Sequence, residues 1–85
     1  MMVRVLYFAW LRARTGMGEE EVAPPPDVAD VAGLITWLSR RSPGHAAAFA
    51  DLRVVRMAVN QDFVGLDHPV RPGDEVAFFP PVTGG

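Results

Sequence analysis

Apolar and polar residues alternate over short runs in most of this chain, and a helical period is sustained in only one stretch. Val3 to Ala9 puts Val3, Val5 and Tyr7 on one side and Arg4, Leu6 and Phe8 on the other, which predicts a strand whose arginine side is the wetter one. Leu11 to Thr15 predicts a helical turn ended by Gly16, and Glu19 to Ala23 a short second strand. The Glu19-Glu20-Glu21 run reads as a solvated, charged edge of the kind that discourages unwanted strand pairing. Pro24-Pro25-Pro26 stops that strand and reads as a rigid loop.

From Val31 to about Arg41 the period changes. Val31, Leu34, Ile35 and Leu38 fall on one helical stripe behind Asp30, a good N-cap, with Asp27 an alternative start. Arg40 and Arg41 sit in the predicted last turn, where cations suit the helix dipole, and Ser42-Pro43-Gly44 reads as the terminator. Trp37 falls off the stripe. His45 to Asp51, rich in alanine, predicts a second short helical segment. Alternation then returns: Val54 to Asn60, with Val55, Met57 and Val59 opposed to Val54, Arg56 and Ala58; a very short strand at Phe63 and Val64; and Glu75 to Phe79, with Val76 and Phe78 inward. Turn-forming residues punctuate these runs at Asn60-Gln61-Asp62, Asp67-His68-Pro69 and Arg71-Pro72-Gly73-Asp74.

One long helix among several strands can cover only one face of a sheet. The expected class is therefore α+β, a mixed sheet with one main helix packed on one face. On the open face Arg4, Arg56 and Glu75 share the surface with Leu6, Phe8, Ala58 and Phe79, with Phe63 nearby. A contiguous aromatic patch marks a partner site, so Phe8, Phe63 and Phe79 are the expected anchors for a protein partner.

Composition narrows the chemistry. The 85 residues suit one domain, and 49% hydrophobic content supports a core. There are no cysteines, so any sulfur handled here is not carried on a side-chain thiol. All 8 basic residues are arginine, which removes any lysine amine for Schiff-base chemistry or for modification of this chain. A formal charge of -2 provides no basic footprint for nucleic acid. No apolar run is long enough to span a membrane and no signal peptide is evident, so the expectation is a cytoplasmic protein. His45 and His68 lack patterned ligand partners, and no metal site is expected. No phosphate-cradling glycine-lysine motif occurs either, so any ATP is bound elsewhere.

The end of the chain carries the strongest signal. Residues 1–79 are expected to form the domain and residues 80–85 a flexible tail, Pro80-Pro81-Val82-Thr83-Gly84-Gly85. The two prolines favour polyproline II and keep the tail from continuing as a ladder strand. Six residues extended span roughly 20 Å, enough to enter a partner's active site. Gly84-Gly85 offers bare backbone for a narrow channel and an uncrowded terminal carboxylate suited to activation.

With Val3-Arg4-Val5-Leu6-Tyr7-Phe8-Ala9, Val59-Asn60-Gln61, Asp67-His68-Pro69 and above all Gly73 to Gly85, the whole chain resembles the small subunits of molybdopterin synthase. That resemblance implies a ubiquitin-like β-grasp fold, with the first and last strands adjacent, and a sulfur-carrier role. It implies that an ATP-using, E1-like enzyme adenylates the Gly85 carboxylate and that a sulfur donor converts it to a thiocarboxylate. The sulfur then passes to cyclic pyranopterin monophosphate within a complex with the large synthase subunit, in molybdenum cofactor biosynthesis. Gly84 would thread the channel; Thr83, Val82, Pro81 and Pro80 would set reach and register; Phe8, Phe63 and Phe79 match the family's contact surface. The chain would hold no permanent cofactor and would not be an enzyme on its own. A bare Gly-Gly end leaves open a carrier for tRNA thiolation or thiamine synthesis, a ubiquitin-like protein modifier, or a β-grasp interaction module with an inert tail.

Overall fold

The computed structural model describes residues 1–81. Its elements run β1 (Val3–Tyr7), α1 (Trp10–Thr15), β2 (Glu19–Val22), α2 (Val31–Ser39), α3 (Pro43–Ala48), a 3-10 turn (Leu52–Val54), β3 (Arg56–Val59), β4 (Asp62–Val64) and β5 (Glu75–Phe79). The five strands form one sheet in the order β2-β1-β5-β3-β4. β1 and β5 pair in parallel and the other neighbours are antiparallel, so the first and last strands lie side by side near the middle of a mixed sheet. This is the β-grasp arrangement expected from the family resemblance.

The core follows the alternation. Val3, Val5 and Tyr7 of β1, Val76 and Phe78 of β5, and Met57 and Val59 of β3 meet Val31, Leu34, Ile35 and Leu38 of α2 in one buried cluster. Phe49 closes it with its ring edge-on to Phe78, the centroids 4.9 Å apart. Asp30 caps α2 as expected, its carboxylate accepting from the Gly33 amide at 2.8 Å. Trp37 lies half-buried against the core with the Arg41 guanidinium 5.0 Å from its ring.

Several boundaries move for identifiable reasons. β1 stops at Tyr7, because Ala9 takes φ 56 and turns the chain into α1. Gly16 ends α1 at φ 81, a left-handed cap that glycine adopts without steric penalty. Ser42-Pro43 is the start of α3 as well as the end of the preceding turn: Ser42 caps, accepting from the His45 amide, and proline occupies the first turn, where its missing N–H is no loss. The helical segment therefore spans Pro43–Ala48, earlier than the alanine run suggests. β3 begins at Arg56, since Asp51 caps the 3-10 turn over Leu52–Val54. Between β3 and β4, Asn60 and Gln61 take φ 50 and 72, both positive as a type I′ hairpin requires. Asn60 secures that hairpin to β5, accepting from the Glu75 amide at 3.0 Å and donating to Asp74 at 2.9 Å.

Candidate docking face and tail root

Strand register sorts the open face of the sheet into three rows. Farthest from the point where β5 hands over to the tail lie Glu21, Arg4 and Glu75, paired across β2, β1 and β5. The middle row runs Glu19, Leu6, Ala77, Ala58 and Phe63 across all five strands. In the last row Phe79 faces Arg56 across β5 and β3. Phe8 follows the final β1 pair and donates its amide to the Phe78 carbonyl at 3.1 Å, which puts it beside the same row.

Phe8 and Phe79 thus lie at the tail root and Phe63 one row away, and the three do not form one contiguous patch. Phe63 and Phe79 are brought together, ring centroids 5.6 Å apart, in a groove completed by Arg56, Met57 and Val64. Phe63 is 82% exposed, far more than an aromatic ring with no partner to meet would favour. Phe8, 49% exposed, lines a separate groove with Leu6, Ala9 and Arg12, and no aromatic contact joins it to the other two rings among the described residues. Ala58, expected outward, is buried: it lies between Ala77 and Phe63 in the middle row, where a small side chain has no height above its neighbours.

Phe8 is also held by strain. Its carbonyl accepts from the Leu11 amide at 3.2 Å around Ala9, whose φ 56 and ψ -130 match the first central position of a type II′ turn. Glycine is preferred there, and a Cβ is disfavoured. Pro80 and Pro81 follow β5 and are half-buried. Val82, Thr83, Gly84 and Gly85, the remaining predicted site residues, lie outside the described residues.

A polar cluster that the alternation does not reveal sits under the opposite face. The central glutamate of the acidic run is not a solvated edge residue: Glu20 points inward with its side chain 12% exposed. Its Oε2 accepts from the Tyr7 hydroxyl at 2.8 Å and lies 2.7 Å from His45 Nε2, while Oε1 accepts from Arg41 at 3.3 Å. A carboxylate only accepts, so Nε2 carries the proton and Nδ1 faces the Ser42 hydroxyl at 2.7 Å. Desolvation pushes the Glu20 pKa up, but the hydrogen bonds from His45 and Tyr7 and the charges of His45 and Arg41 outweigh it, leaving it below the ordinary value. Burial, then the bond to Glu20, raises the Tyr7 hydroxyl well above the usual phenol range, so it remains a donor. The cluster ties β1, β2 and α3 together behind the tail root. Strand parity held the signal for it: Glu20 pairs with the inward Val5. His45 therefore has a structural role, and among the described residues no group of three His, Cys, Asp or Glu could hold a metal ion. Nor is any described helix long and apolar enough to cross a membrane.

Comparison with known proteins agrees with this architecture. Residues 5–85 match the ThiS family. The chain is 45% identical to the molybdopterin synthase sulfur carrier subunit of Escherichia coli, over 99% of this chain and 100% of that one. A putative molybdopterin converting factor, subunit 1, from Pyrococcus furiosus superposes with a TM-score of 0.80 at 34% identity, covering 96% and 99% of the two chains. A chain from a protein–protein complex of subunits 1 and 2 of the molybdopterin-converting factor from Helicobacter pylori superposes at 0.67 with 26% identity and complete coverage of both chains. With the family match spanning nearly the whole chain, and with the mixed sheet and its single long helix in place, the chain belongs to the ThiS family, among the molybdopterin synthase sulfur carrier subunits.

Proposed function

We propose that the chain carries sulfur on Gly85 for a molybdopterin synthase. The single observation that carries this reading is the end-to-end likeness to the Escherichia coli sulfur carrier subunit, with no part of that relative left unmatched. The Val-Thr-Gly-Gly sequence, two prolines after the central strand β5, supports it. A carboxylate is a poor electrophile. Attack of the Gly85 carboxylate on the α-phosphate of ATP, bound by an E1-like activating enzyme, releases pyrophosphate and makes AMP the leaving group. Sulfide-level sulfur from a donor then attacks the acyl carbon, the C–S bond forming as the C–O bond to AMP breaks, which leaves a terminal thiocarboxylate and free AMP. That sulfur is the nucleophile toward cyclic pyranopterin monophosphate on the large subunit. No thiol or cofactor of this chain is needed for any of these steps, and the adenylating and transferring groups belong to its partners.

In this reading residues 80–85 form the tail that enters the partner, and the domain over residues 1–79 supplies its docking face through Phe8, Phe63 and Phe79. Gly84 admits the backbone to a narrow channel; Thr83, Val82, Pro81 and Pro80 set reach. The large subunit is the proposed principal partner, by analogy with the two-subunit Helicobacter pylori complex. The proposed place of work is the cytoplasm, where the precursor and ATP are available.

The test is the intact mass of the protein isolated from its own cells, with the C-terminal peptide fragmented. A gain equal to the difference between one sulfur and one oxygen, located on Gly85, supports the carrier reading. Gly85 joined through an amide to lysines of other proteins supports a modifier instead. An unmodified carboxylate in cells making molybdenum cofactor removes the carrier role.

A further inference from the structure

The distribution of charge over the open face is uneven in a way that the aromatic anchors do not account for. The row farthest from the tail carries Glu21 and Glu75 around Arg4, and the middle row adds Glu19 at its β2 end. Arg4 is neutralised there, its Nε 2.8 Å from the Glu19 carboxylate. At the tail root the pattern reverses. Arg56 faces Phe79, and Arg12, from α1, lines the Phe8 groove, where the only carboxylate, Glu19, is already paired with Arg4. Both are exposed, and neither takes part in an ion pair among the described residues, whereas Arg4, Arg41 and Arg53 all do.

Arg56 is moreover held in place without being neutralised. Its guanidinium donates to the Arg53 and Val55 carbonyls at 3.1 and 3.2 Å. Neutral acceptors restrict the side chain and leave its positive charge intact, so part of the ordering cost of a charged contact is met before any partner arrives. Arg12 packs over Gly18, where an added Cβ would lie 3.2 Å from the guanidinium carbon. In a chain of net charge -2, two such cations beside exposed aromatic rings form a local field opposite in sign to the rest of the face.

We propose that Arg56 and Arg12 are specificity-determining residues of the docking face, matched to carboxylates that flank an apolar ridge on the large synthase subunit. Glu21 and Glu75 of the far row repel those same carboxylates, so a partner docked in reverse meets like charge; the face sets both the partner and the direction in which the tail is presented. A continuous polyanion fits poorly, because its charge would run across Phe63, Ala58 and Ala77 onto Glu19 and Glu75. This inference rests on the large-subunit reading above and adds the charge chemistry of the contact.

The experiment measures association of the full chain with the large synthase subunit from the same cells, by rapid mixing at low and at high salt. The chains compared are wild type, Arg56→Glu, Arg12→Glu, Arg56→Gln and Phe79→Ala, with thermal unfolding recorded for each. The expected result is an association rate about tenfold slower for each charge reversal at low salt, with a smaller loss for Arg56→Gln. The differences should collapse near 1 M salt, where screening acts over about 3 Å. Unfolding of the arginine variants should match wild type. If Phe79→Ala weakens the complex while the arginine variants associate at the wild-type rate at low salt, the charge inference is overturned and the large-subunit reading stands. If the wild-type chain does not bind the large subunit at all, both fall. Retarded association that persists unchanged at high salt also overturns the inference, because a charge effect must be screened.

Discussion

Gly44 is the position where one added carbon tests the packing most severely. It sits in the first turn of α3, and a Cβ built there would lie 2.2 Å from the Arg14 carbonyl oxygen and 3.3 Å from its carbon. The obstacle is backbone, so relief requires α1 and α3 to separate by roughly 1 Å before ordinary van der Waals contact is restored. α3 is not free to move: Ser42 and His45 at its start are tied to Glu20 on β2, the His45–Glu20 contact being 2.7 Å. Alanine gains up to about 1 kcal/mol of helix propensity over glycine. Against it stand about 1–3 kcal/mol for overpacking and about 1.5–3 kcal/mol for a weakened charged hydrogen bond. Gly44→Ala should therefore destabilise by about 2–4 kcal/mol, which in a domain of this size lowers the melting temperature by roughly 10–25 °C. Thermal unfolding followed by circular dichroism or calorimetry reads this directly. Gly33→Ala is the control, since the nearest atoms to its Cβ would be the movable Asp30 side-chain oxygen at 3.2 Å and two atoms of Val28 at 3.9 Å. That variant should be neutral or stabilised by up to about 1 kcal/mol. A Gly44→Ala protein as stable as wild type would refute the close approach of α1 and α3.

Other outcomes follow from single contacts. Asp30→Ala removes the carboxylate that caps α2 and should cost about 1 kcal/mol in urea unfolding. Glu20 has a lowered pKa in the fold, so its contribution is complete above the ordinary carboxylate pKa and is lost as pH falls through the lowered value; Glu20→Gln should flatten the dependence of the melting temperature on pH below about pH 5, and an unchanged slope there would contradict the cluster. Ala9→Gly relieves a Cβ held at φ 56; the relief of about 1–2 kcal/mol exceeds the added unfolded-state entropy of about 0.5–1 kcal/mol, so chemical denaturation should show a small gain in stability, while a loss would mean the turn is not of the II′ type.

Alternation and the one apolar stripe were enough to locate every described strand, the main helix and the covered face, because those periods are imposed by backbone geometry at each residue. Boundaries were less legible where the deciding contact is local but unusual: Ala9 adopting a glycine conformation ends β1, and Ser42-Pro43, readable as a stop, also caps α3. The proposed tail chemistry rests on residue identity and the family resemblance, since a Gly-Gly pair is read without reference to packing. Whether aromatic rings on different strands meet depends instead on register and strand order. Those joined Phe63 to Phe79 and set Phe8 in a groove of its own, although all three read equally as anchors. The Glu20 cluster lay furthest from view. Its members are spread from Tyr7 to His45, and only the pairing of β2 with β1 and the docking of α3 turn the centre of an acidic run that looks solvated into a half-buried carboxylate with donors on both oxygens. Sequence periodicity reports which face a residue occupies; the packing of elements distant along the chain decides what it meets there.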